Sequence, residues 1–319
     1  MFNKVTPMKT QVQYSEFEQN CKVGNAKLEW FDLQDKVDCY NSSMPFEIDG
    51  KQYILCRTQP RNGRYSKTCF FQKKSDGWYF VPDSYVFDLE DPSVAYIDGK
   101  LVVAGVNVSF TDGVAEWKTD FYICDSPYEA QYLTSGPLHM KDIRLVQLQD
   151  GKVGVLTRPL GKEINDGHLA RIGFVKIDSI YDLNENVIAS APKLNDFFLP
   201  DEWGGSNAAY LLSNGLVGII AHKSYRSYDR EGEKLHYYGA AFALDPDTLK
   251  TSDMKIIVGR KCFPYYEPRE PKLADVTFMA GIIRHQDGTA TVYTGLSDSA
   301  VGSATISDPF LEYEKIKTI

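Results

Sequence analysis

The chain has 319 residues, of which 43% are hydrophobic and 24% are charged, and this composition excludes a disordered or fibrous protein. The formal net charge is −8 and no basic stripe runs along the chain, so we expect no nucleic-acid partner. No apolar run reaches the roughly 18 residues that cross a bilayer, and residues 1–20 lack the apolar core of a secretory signal. We therefore expect a cytoplasmic protein with no membrane partner.

The cysteines and histidines are scattered rather than clustered. No C-x-x-C pair and no H-E-x-x-H motif occurs, so the sequence predicts no metal site and no bound cofactor. Without a secretory signal, we expect the cysteines to be reduced, packed thiols. They are Cys21, Cys39, Cys56, Cys69, Cys124 and Cys262.

The first 25 residues precede the regular pattern, as an N-terminal extension or as a segment that closes the array of strands. After them a hairpin signal recurs five times, each time with Asp-Gly or Asn-Gly between two apolar runs. These dipeptides tolerate the positive φ angles of a two-residue type I′ turn. The five segments are residues 45–57, 93–106, 144–158, 208–222 and 281–295, with turns at Asp49, Asp98, Asp150, Asn214 and Asp287.

Further short strands are predicted between these hairpins, and long amphipathic helical patterns are nearly absent. The additional strands are at residues 67–81, 120–126, 171–178, 236–245 and 255–261. Repeated units of about four strands are typical of a β-propeller. The pattern therefore predicts an all-β, five-bladed β-propeller that forms a single domain over residues 1–319. A large β-sandwich is the competing fold, but it does not predict a repeated hairpin with polar flanks.

Polar residues flank the predicted hairpins on one side. The innermost strand of a propeller blade faces the axial channel, and an antiparallel hairpin brings its entry and its exit to the same end. A polar pocket for a small charged or hydroxylated ligand is therefore expected at that end. The entries are residues 40–42, 90–92, 142–144, 205–207 and 274–276, and the exits are Arg57, Asn107, Arg158, His222 and residues 297–298.

The second entry reads Glu90-Asp91-Pro92. Adjacent strand residues point to opposite sides, so we expect only one of the two carboxylates to face the channel. Pro92 lacks an N–H and suits the start of a strand. The alternative is that Asp91 only caps the turn before Pro92.

Three arginines, Arg57, Arg144 and Arg158, occupy predicted positions at the functional end of three different hairpins, and His222 occupies a fourth. Arginine presents a planar fork of donors that suits carboxylate or phosphate oxygens, so this set indicates an anion site. The alternative for each arginine is a salt bridge, for example to Asp142 or Glu90, or exposure to solvent. No Walker-type loop is present, so side chains would have to hold a phosphate.

Four segments carry a resemblance to a known family. They are FDLEDPSVAYIDGKLVVAG, KDIRLVQLQDGKVGVLTRPLG, DEWGGSNAAYLLSNGLVGIIAH and ADVTFMAGIIRHQDGTATVYTGLSD. Through the E-D-P, T-R-P and D-E-W-G-G-x-N motifs and the aspartate that opens the last hairpin, residues 40–310 resemble a family of five-bladed propellers. That family is related to the β-1,2-mannoside phosphorylases and includes β-1,2-mannosyltransferase/phosphorylases.

The resemblance implies that Asp91 is a general acid. It also implies that Arg144, Arg158 and His222 hold phosphate, with Arg57 as a further member of that set. Phosphorolysis needs a single carboxylate because phosphate is itself an anionic nucleophile, whereas an inverting hydrolase needs a second one. The resemblance further implies that sugar hydroxyls are bound by Asn41, Asn207 and Asp275.

The chain departs from the family pattern around the histidine, where it reads Ala221-His222-Lys223-Ser224. We therefore expect Lys223 and Tyr225 to influence which acceptor or anion the site accommodates. Sugar sites use aromatic platforms, and we expect further substrate contacts near the same end. The candidates are Glu90, Glu202, Trp203, Tyr225 and Tyr238, whereas most other aromatic residues are expected in the core and Lys162 is interpreted as a solvated loop charge.

Together these features predict a glycoside phosphorylase or glycosyltransferase that acts on β-mannosides, with inorganic phosphate as co-substrate. Its partners would be a mannose oligosaccharide and phosphate or mannose 1-phosphate, and edge strands would allow a homo-oligomer. Three alternatives stay open: a hydrolase that pairs Asp91 with Asp275 or Glu202, a GDP-mannose-dependent mannosyltransferase, and a non-catalytic sugar-binding propeller.

Overall fold

The computed structural model describes residues 2, 5–33, 37–63 and 65–316. Strands dominate, and the three α-helices are α1 (Thr10–Asn20), α2 (Glu185–Ala189) and α3 (Leu311–Glu314). Single 3₁₀ turns span Ile180–Asp182, Arg260–Cys262 and Pro271–Leu273. The strands are β1 (Gly24–Leu28), β2 (Phe31–Asp32), β3 (Val37–Tyr40), β4 (Phe46–Ile48), β5 (Lys51–Pro60), β6 (Lys67–Lys73), β7 (Trp78–Phe80), β8 (Glu90–Ile97), β9 (Lys100–Thr111), β10 (Val114–Ser126), β11 (Glu129–Ser135), β12 (Arg144–Gln147), β13 (Val153–Thr157), β14 (Gly173–Ile177), β15 (Trp203–Leu211), β16 (Val217–Asp229), β17 (Gly232–Leu244), β18 (Lys255–Val258), β19 (Asp275–Arg284), β20 (Thr289–Leu296) and β21 (Ala300–Ser307).

The strands form four sheets, and pairing is antiparallel almost throughout. The first sheet has the order β2-β7-β6-β5-β3, with β4 paired to β5. The second holds β8 to β11 and the third β12 to β14. The fourth has eight strands because a short parallel bridge from β17 to β19 joins the group β15–β18 to the group formed by β19–β21 and β1. Each predicted hairpin is therefore an antiparallel pair within one of these sheets.

The predicted turns are present, but they are of two kinds. At Asp49-Gly50 and Asp98-Gly99 both residues have positive φ, as the type I′ prediction requires. At the other three turns only the glycine is left-handed, with φ of 82° at Gly151, 85° at Gly215 and 84° at Gly288. The two-residue prediction is wrong there, because a type I turn followed by one left-handed residue makes a three-residue loop.

One cavity of about 460 Å³ lies among the innermost strands. Its wall is mainly apolar, and every hairpin contributes to it. The contributing side chains include Phe46 of β4, Val94 of β8, Val146 of β12, Ala209 of β15 and Ile282 of β19. The five predicted hairpins therefore all line one cavity.

The N-terminal segment packs against the last two hairpin groups. Strand β1 pairs with β21, which joins the two ends of the chain in one sheet. Helix α1, which the sequence pattern does not predict, places Tyr14 on Tyr238 with ring centroids 3.7 Å apart and nearly parallel planes. The stacked ring anchors the helix beside β16–β18, since Tyr14, Phe17, Tyr238 and Ile256 form one small apolar cluster.

The cysteine prediction is wrong for one pair. Cys39 of β3 and Cys56 of β5 form a disulfide, because the antiparallel pairing of these strands brings together two residues that lie 17 positions apart. Cys69 and Cys124 are buried free thiols, and the sulfurs of Cys21 and Cys262 lie 3.9 Å apart.

None of the helices in the described part of the chain has the length and apolarity of a membrane span. The same residues contain no group of three or more His, Cys, Asp or Glu side chains placed to hold a metal ion.

Candidate active site

Three of the predicted hairpin entries, residues 40–42, 90–92 and 142–144, carry a left-handed residue. The φ angles are 47° at Asn41, 49° at Asp91 and 59° at Asp142. Asn and Asp adopt this conformation more readily than other side chains because their short polar groups bond locally. The same residue types at the same hairpin position therefore reflect a backbone requirement as well as their chemistry.

Strand β8 is bulged at its start, since its register with β9 shifts between Glu90 and Ser93. The predicted alternation fails there, and Glu90 and Asp91 both contact the same arginine. Nη2 of Arg57 lies 2.7 Å from Glu90 Oε1, and its Nη1 lies 3.2 Å from Asp91 Oδ1. The bulge and the left-handed backbone of Asp91 bring both carboxylates to Arg57, and which of them faces the channel stays a prediction.

Asp91 also accepts a hydrogen bond of 2.8 Å from the amide of Asn41. The same amide nitrogen lies 3.3 Å from Asp298, which follows the exit of β20. We name Asn41, Arg57, Glu90, Asp91 and Asp298 the acid cluster. It joins residues from the first, second and last hairpins.

Burial sets the charge balance within the acid cluster. Burial raises the pKa of Glu90, although Arg57 opposes this shift. Burial also raises the pKa of Asp298, and the charge of Asp91 adds to this shift while Arg57 opposes it. For Arg57 burial disfavours the charged form, but Asp91 and Glu90 outweigh it and hold the pKa above its usual value. The cluster thus holds more carboxylates than its single arginine neutralises.

A second group of charges is almost completely enclosed. Arg144 and Arg158 are 5% and 4% exposed, and Asp142 between them is 1% exposed. Asp142 lies 2.5 Å from Nη1 of Arg158 and 3.6 Å from Nη2 of Arg144. The two arginines hold the pKa of Asp142 well below its usual range, although burial pushes in the opposite direction. Asp142 therefore stays ionised and cancels one of the two arginine charges.

Main-chain carbonyls fix both guanidinium groups. Nε of Arg144 donates to the carbonyl of Asn207 at 2.8 Å, and Nε of Arg158 donates to that of Gly204 at 2.7 Å. A Cβ at Gly205 would lie 2.7 Å from Cδ of Arg158, closer than carbon atoms approach. Gly205, the second glycine of the D-E-W-G-G motif, has no side chain and thus leaves room for Arg158.

His222 is fully buried beside these arginines. Its Nδ1 lies 2.8 Å from Oδ1 of Asn207, and burial, with Arg158 adding, lowers its pKa to about 3. The imidazole is therefore neutral near pH 7. Nε2 of His222 and Nδ2 of Asn207 are both buried without a hydrogen-bond partner among the described residues, so both are available to a water molecule or a ligand.

We name Asp142, Arg144, Arg158, Asn207 and His222 the anion cluster. Strand β8, which holds Asp91, lies against β12, which begins with Arg144. The anion cluster therefore adjoins the acid cluster, and the negative charge of Asp91 acts on Arg144. The structure thus brings Asn41, Arg57, Glu90 and Asp91 into one group and Arg144, Arg158, Asn207 and His222 into its neighbour.

Two residues of this end were not singled out from the sequence. Asp298 stands at a hairpin exit, so its position was a usable signal. Lys141 lies next to Asp142, and its charge acts on groups of both clusters. No motif marks Lys141.

The remaining predicted substrate residues contact α1, one another or neighbouring ring side chains. Oε1 of Glu202 accepts a hydrogen bond from the backbone N–H of Thr10 at 2.6 Å. The hydroxyl of Tyr238 and Nδ1 of His236 each lie 2.7 Å from Asp275. Tyr225 stacks on His236 at 4.3 Å, and Trp203 donates to the hydroxyl of Tyr237 at 2.9 Å.

Lys223, where the chain departs from the family pattern, also serves α1. It is 1% exposed, and its ammonium donates to the carbonyl of Met8 at 2.5 Å and to Gln13 at 2.9 Å. Burial lowers its pKa to about 8, although Glu202 opposes this shift. The departure therefore coincides with the attachment of the N-terminal helix.

The fold and the site define a mostly β protein with two adjoining charged clusters, of which the anion cluster lines the cavity through Arg144 and Asn207. Residues 15–312 match the family model DUF1861, described as a protein of unknown function, and the chain belongs to this family. Comparison with curated protein sequences found no match.

Solved structures give closer comparisons. A mannose phosphorylase from Leishmania mexicana, in complex with a phosphate ion, is 39% identical, with a TM-score of 0.88 over 97% of this chain and 95% of that one. A GDP-Man-dependent mannosyltransferase from the same organism is 34% identical, with a TM-score of 0.88 over 98% of both chains. A β-1,2-mannobiose phosphorylase from Listeria innocua shares the fold at 16% identity, with a TM-score of 0.65 over 89% of this chain and 94% of that one.

Proposed function

We propose that this protein is an inverting glycoside phosphorylase that acts on β-1,2-mannosides, with inorganic phosphate as co-substrate. The observation that carries the proposal is that the two clusters adjoin: β8, which holds Asp91, lies against β12, which begins with the buried Arg144, and the buried neutral His222 belongs to the same cluster as Arg144. The likeness to a mannose phosphorylase that binds phosphate supports the same reading.

In the proposed reaction Asp91 donates a proton to the glycosidic oxygen, directly or through a sugar hydroxyl, as the bond to the anomeric carbon breaks. Phosphate attacks that carbon from the opposite face, and mannose 1-phosphate and a shortened mannoside leave. Asn41 and Arg57 hold the carboxyl group in place through the contacts of 2.8 and 3.2 Å. Positioning of this kind supplies much of the rate enhancement that an enzyme achieves.

Phosphate would lie in the anion cluster, between Arg144, Arg158 and His222. The arginines are already fixed by main-chain carbonyls, so binding costs little reorganisation. The unpartnered Nε2 of His222 and Nδ2 of Asn207 would bond phosphate or sugar oxygens. No metal or other cofactor takes part in the proposed step.

For the sugar we propose contacts with Asn41, Glu90, Asn207 and Trp203, which lie in or beside the two clusters. The roles of Glu202, Tyr225, Tyr238 and Asp275 in sugar binding stay predictions. Through their contacts with α1 and with one another, these four residues would form and stabilise the wall of the sugar site.

We also propose that the sheets are the five blades of a β-propeller within one domain. The five hairpins around one cavity support this arrangement. The parallel bridge between β17 and β19 would then join the fourth and fifth blades, and β1 would complete the fifth.

A mannosyltransferase that uses GDP-mannose is the second candidate, favoured by the 34% identity to such an enzyme over nearly the whole of both chains. The anion cluster would then hold a phosphate of the donor. A hydrolase is less well supported, because Glu202 binds the backbone N–H groups of Thr10 and Leu199 and Asp275 binds His236 and Tyr238, all of which lie outside the acid cluster.

The deciding experiment measures mannose release from β-1,2-mannobiose as a function of phosphate concentration. We expect no release without phosphate and saturation as phosphate is added. Release that is independent of phosphate would identify a hydrolase. No release with phosphate, together with mannoside synthesis from GDP-mannose, would identify the transferase, and binding without any product would indicate a sugar-binding protein.

A further inference from the structure

We propose that Cys21 and Cys262 form an oxidisable thiol pair, and that their disulfide clamps helix α1 to the 3₁₀ turn Arg260–Cys262. Both are free cysteines, and their sulfurs lie 3.9 Å apart although 241 positions separate them in the chain. The inference concerns a modification site outside the acid and anion clusters, so it goes beyond the proposed function and does not depend on it.

One face of α1 brings the two thiols together. Tyr14, Glu18 and Cys21 are spaced four and three positions apart, so they lie along one side of the helix and its end. The ring of Tyr14 occupies the space beside Gly259, where a Cβ would lie 2.5 Å from its Cε2 atom. Glu18 binds Lys261 at 2.8 Å. The thiol contact is therefore the third in a row of contacts between α1 and this turn.

The two thiols differ in exposure. Cys21 is exposed, whereas Cys262 is half-buried, and burial raises the pKa of Cys262 to about 12. An oxidant therefore reacts first at Cys21, which is accessible, while the thiol of Cys262 stays protonated near pH 7. A disulfide requires the sulfurs to approach to about 2.05 Å. Cys21 can supply this movement because it lies in the short connection between α1 and β1.

The oxidant that we propose is a peroxide. The sulfur of Cys21 attacks one peroxide oxygen, the O–O bond breaks, and a sulfenic acid forms while the other oxygen leaves as water. The sulfur of Cys262 then attacks the sulfur of Cys21 and expels hydroxide, which takes the proton of Cys262 and leaves as a second water. Two thiols are thus oxidised to one disulfide as one peroxide is reduced to two waters, and a thiol reductant reverses the link.

The clamp joins two segments that border the charged clusters. The first turn of α1 binds Glu202 and Lys223, and Lys223 directly follows His222 of the anion cluster. On the other side, Nε of Arg260 lies 3.1 Å from the hydroxyl of Ser297, which directly precedes Asp298 of the acid cluster. The oxidation state of the thiol pair therefore sets how firmly α1 is held against this end of the protein.

The test exposes the full chain, reduced beforehand with dithiothreitol and then separated from it, to hydrogen peroxide. Peptide mapping by mass spectrometry should show a peptide that links Cys21 to Cys262, and dithiothreitol should remove the link. Limited proteolysis should cut near α1 roughly 10-fold more slowly in the oxidised than in the reduced protein, because a disulfide lowers the population in which the helix is detached.

Substitutions separate the clamp from general oxidation. Cys21→Ser changes an exposed residue and should fold normally, and Cys262→Ser removes the other thiol. Neither variant can form the link, so peroxide should not change the rate of cleavage near α1 in either of them. Cys124→Ala is the matched control, since it removes a buried free thiol elsewhere in the chain, and it should still form the link.

Two results would overturn the inference: no linked peptide in the oxidised wild type, or a linked peptide with unchanged cleavage near α1. A sulfinic or sulfonic acid at Cys21 without the link would overturn it as well, since Cys262 would then not reach the oxidised sulfur. None of these results bears on the proposed phosphorylase, because no step of the proposed reaction uses either thiol.

Discussion

Asp142 provides the sharpest test of how the anion cluster is built. It is the carboxylate that Arg144 and Arg158 share, and both arginines are at most 5% exposed. Replacing Asp142 with alanine leaves two buried guanidinium groups beside each other without their counter-charge. Breaking a buried ion pair in this way costs about 3–5 kcal/mol, so we expect Asp142→Ala to lower the free energy of unfolding by that amount at pH 7.

Asp142→Asn separates the charge from the shape. The amide oxygen still accepts a hydrogen bond from Arg158, so the loss should be smaller than for alanine. The pKa of Asp142 lies well below its usual range in the folded protein, so its contribution to stability is complete above the unfolded value of about 4 and is lost as the pH falls below it. The difference between wild type and Asp142→Asn should therefore shrink as the pH is lowered from about 4 to 2.

Urea denaturation at pH 7, analysed by linear extrapolation, measures these differences. Asp178→Ala is the matched control, since Asp178 binds Lys152 at 2.7 Å with side chains 81% and 46% exposed, and exposed pairs contribute little. If Asp142→Ala is no less stable than Asp178→Ala, the two arginines do not depend on Asp142 and the description of the anion cluster is wrong.

Three further predictions follow from the same contacts. Asp91→Asn should lower kcat at least about 100-fold, the usual contribution of a general acid, while the dissociation constant of phosphate is unchanged. Glu90→Gln, which also removes a carboxylate from Arg57, should lower kcat much less. Tyr14→Ala removes the ring stacked on Tyr238 and should lower the free energy of unfolding by about 3 kcal/mol. Limited proteolysis of this variant should cut first near α1, and an unchanged cleavage pattern would contradict the anchoring role of Tyr14. His222, with a pKa of about 3, should show no titration by NMR between pH 5 and 8, and a titration midpoint near 6.5 would show that His222 is not enclosed. Because the unfolded chain binds a proton at His222 more readily than the folded protein, the free energy of unfolding should fall as the pH drops from about 6.5 toward 3.

The sequence predicts much of the fold because its turn chemistry is local. Asp-Gly and Asn-Gly between apolar runs mark all five hairpins, and the antiparallel geometry that follows places Asn41, Arg57 and Asp91 at one end. The length of each turn loop is not readable in the same way. Whether a turn has two or three residues depends on the register of the two strands, and the dipeptide at its tip is compatible with both.

The contacts between distant segments explain the rest. Nothing in the local pattern shows that α1 would bind Lys223 and Glu202, or that Cys39 and Cys56 would meet, because these contacts depend on how separate hairpins and the N-terminal helix pack. The sequence indicated Asp142 as a salt-bridge partner of an arginine, but only the structure shows that Arg144 and Arg158 both pair with it. The cytoplasmic location and the homo-oligomer stay predictions.

The configuration of the product tests the central claim most directly. In the proposed reaction the proton donor and the phosphate lie on opposite sides of the glycosidic bond, so a β-mannoside must give an α-phosphate. ³¹P and ¹H NMR of a reaction of β-1,2-mannobiose with phosphate should show α-mannose 1-phosphate and free mannose in equal amounts. A β-phosphate, or two equivalents of mannose with no phosphate ester, would contradict it.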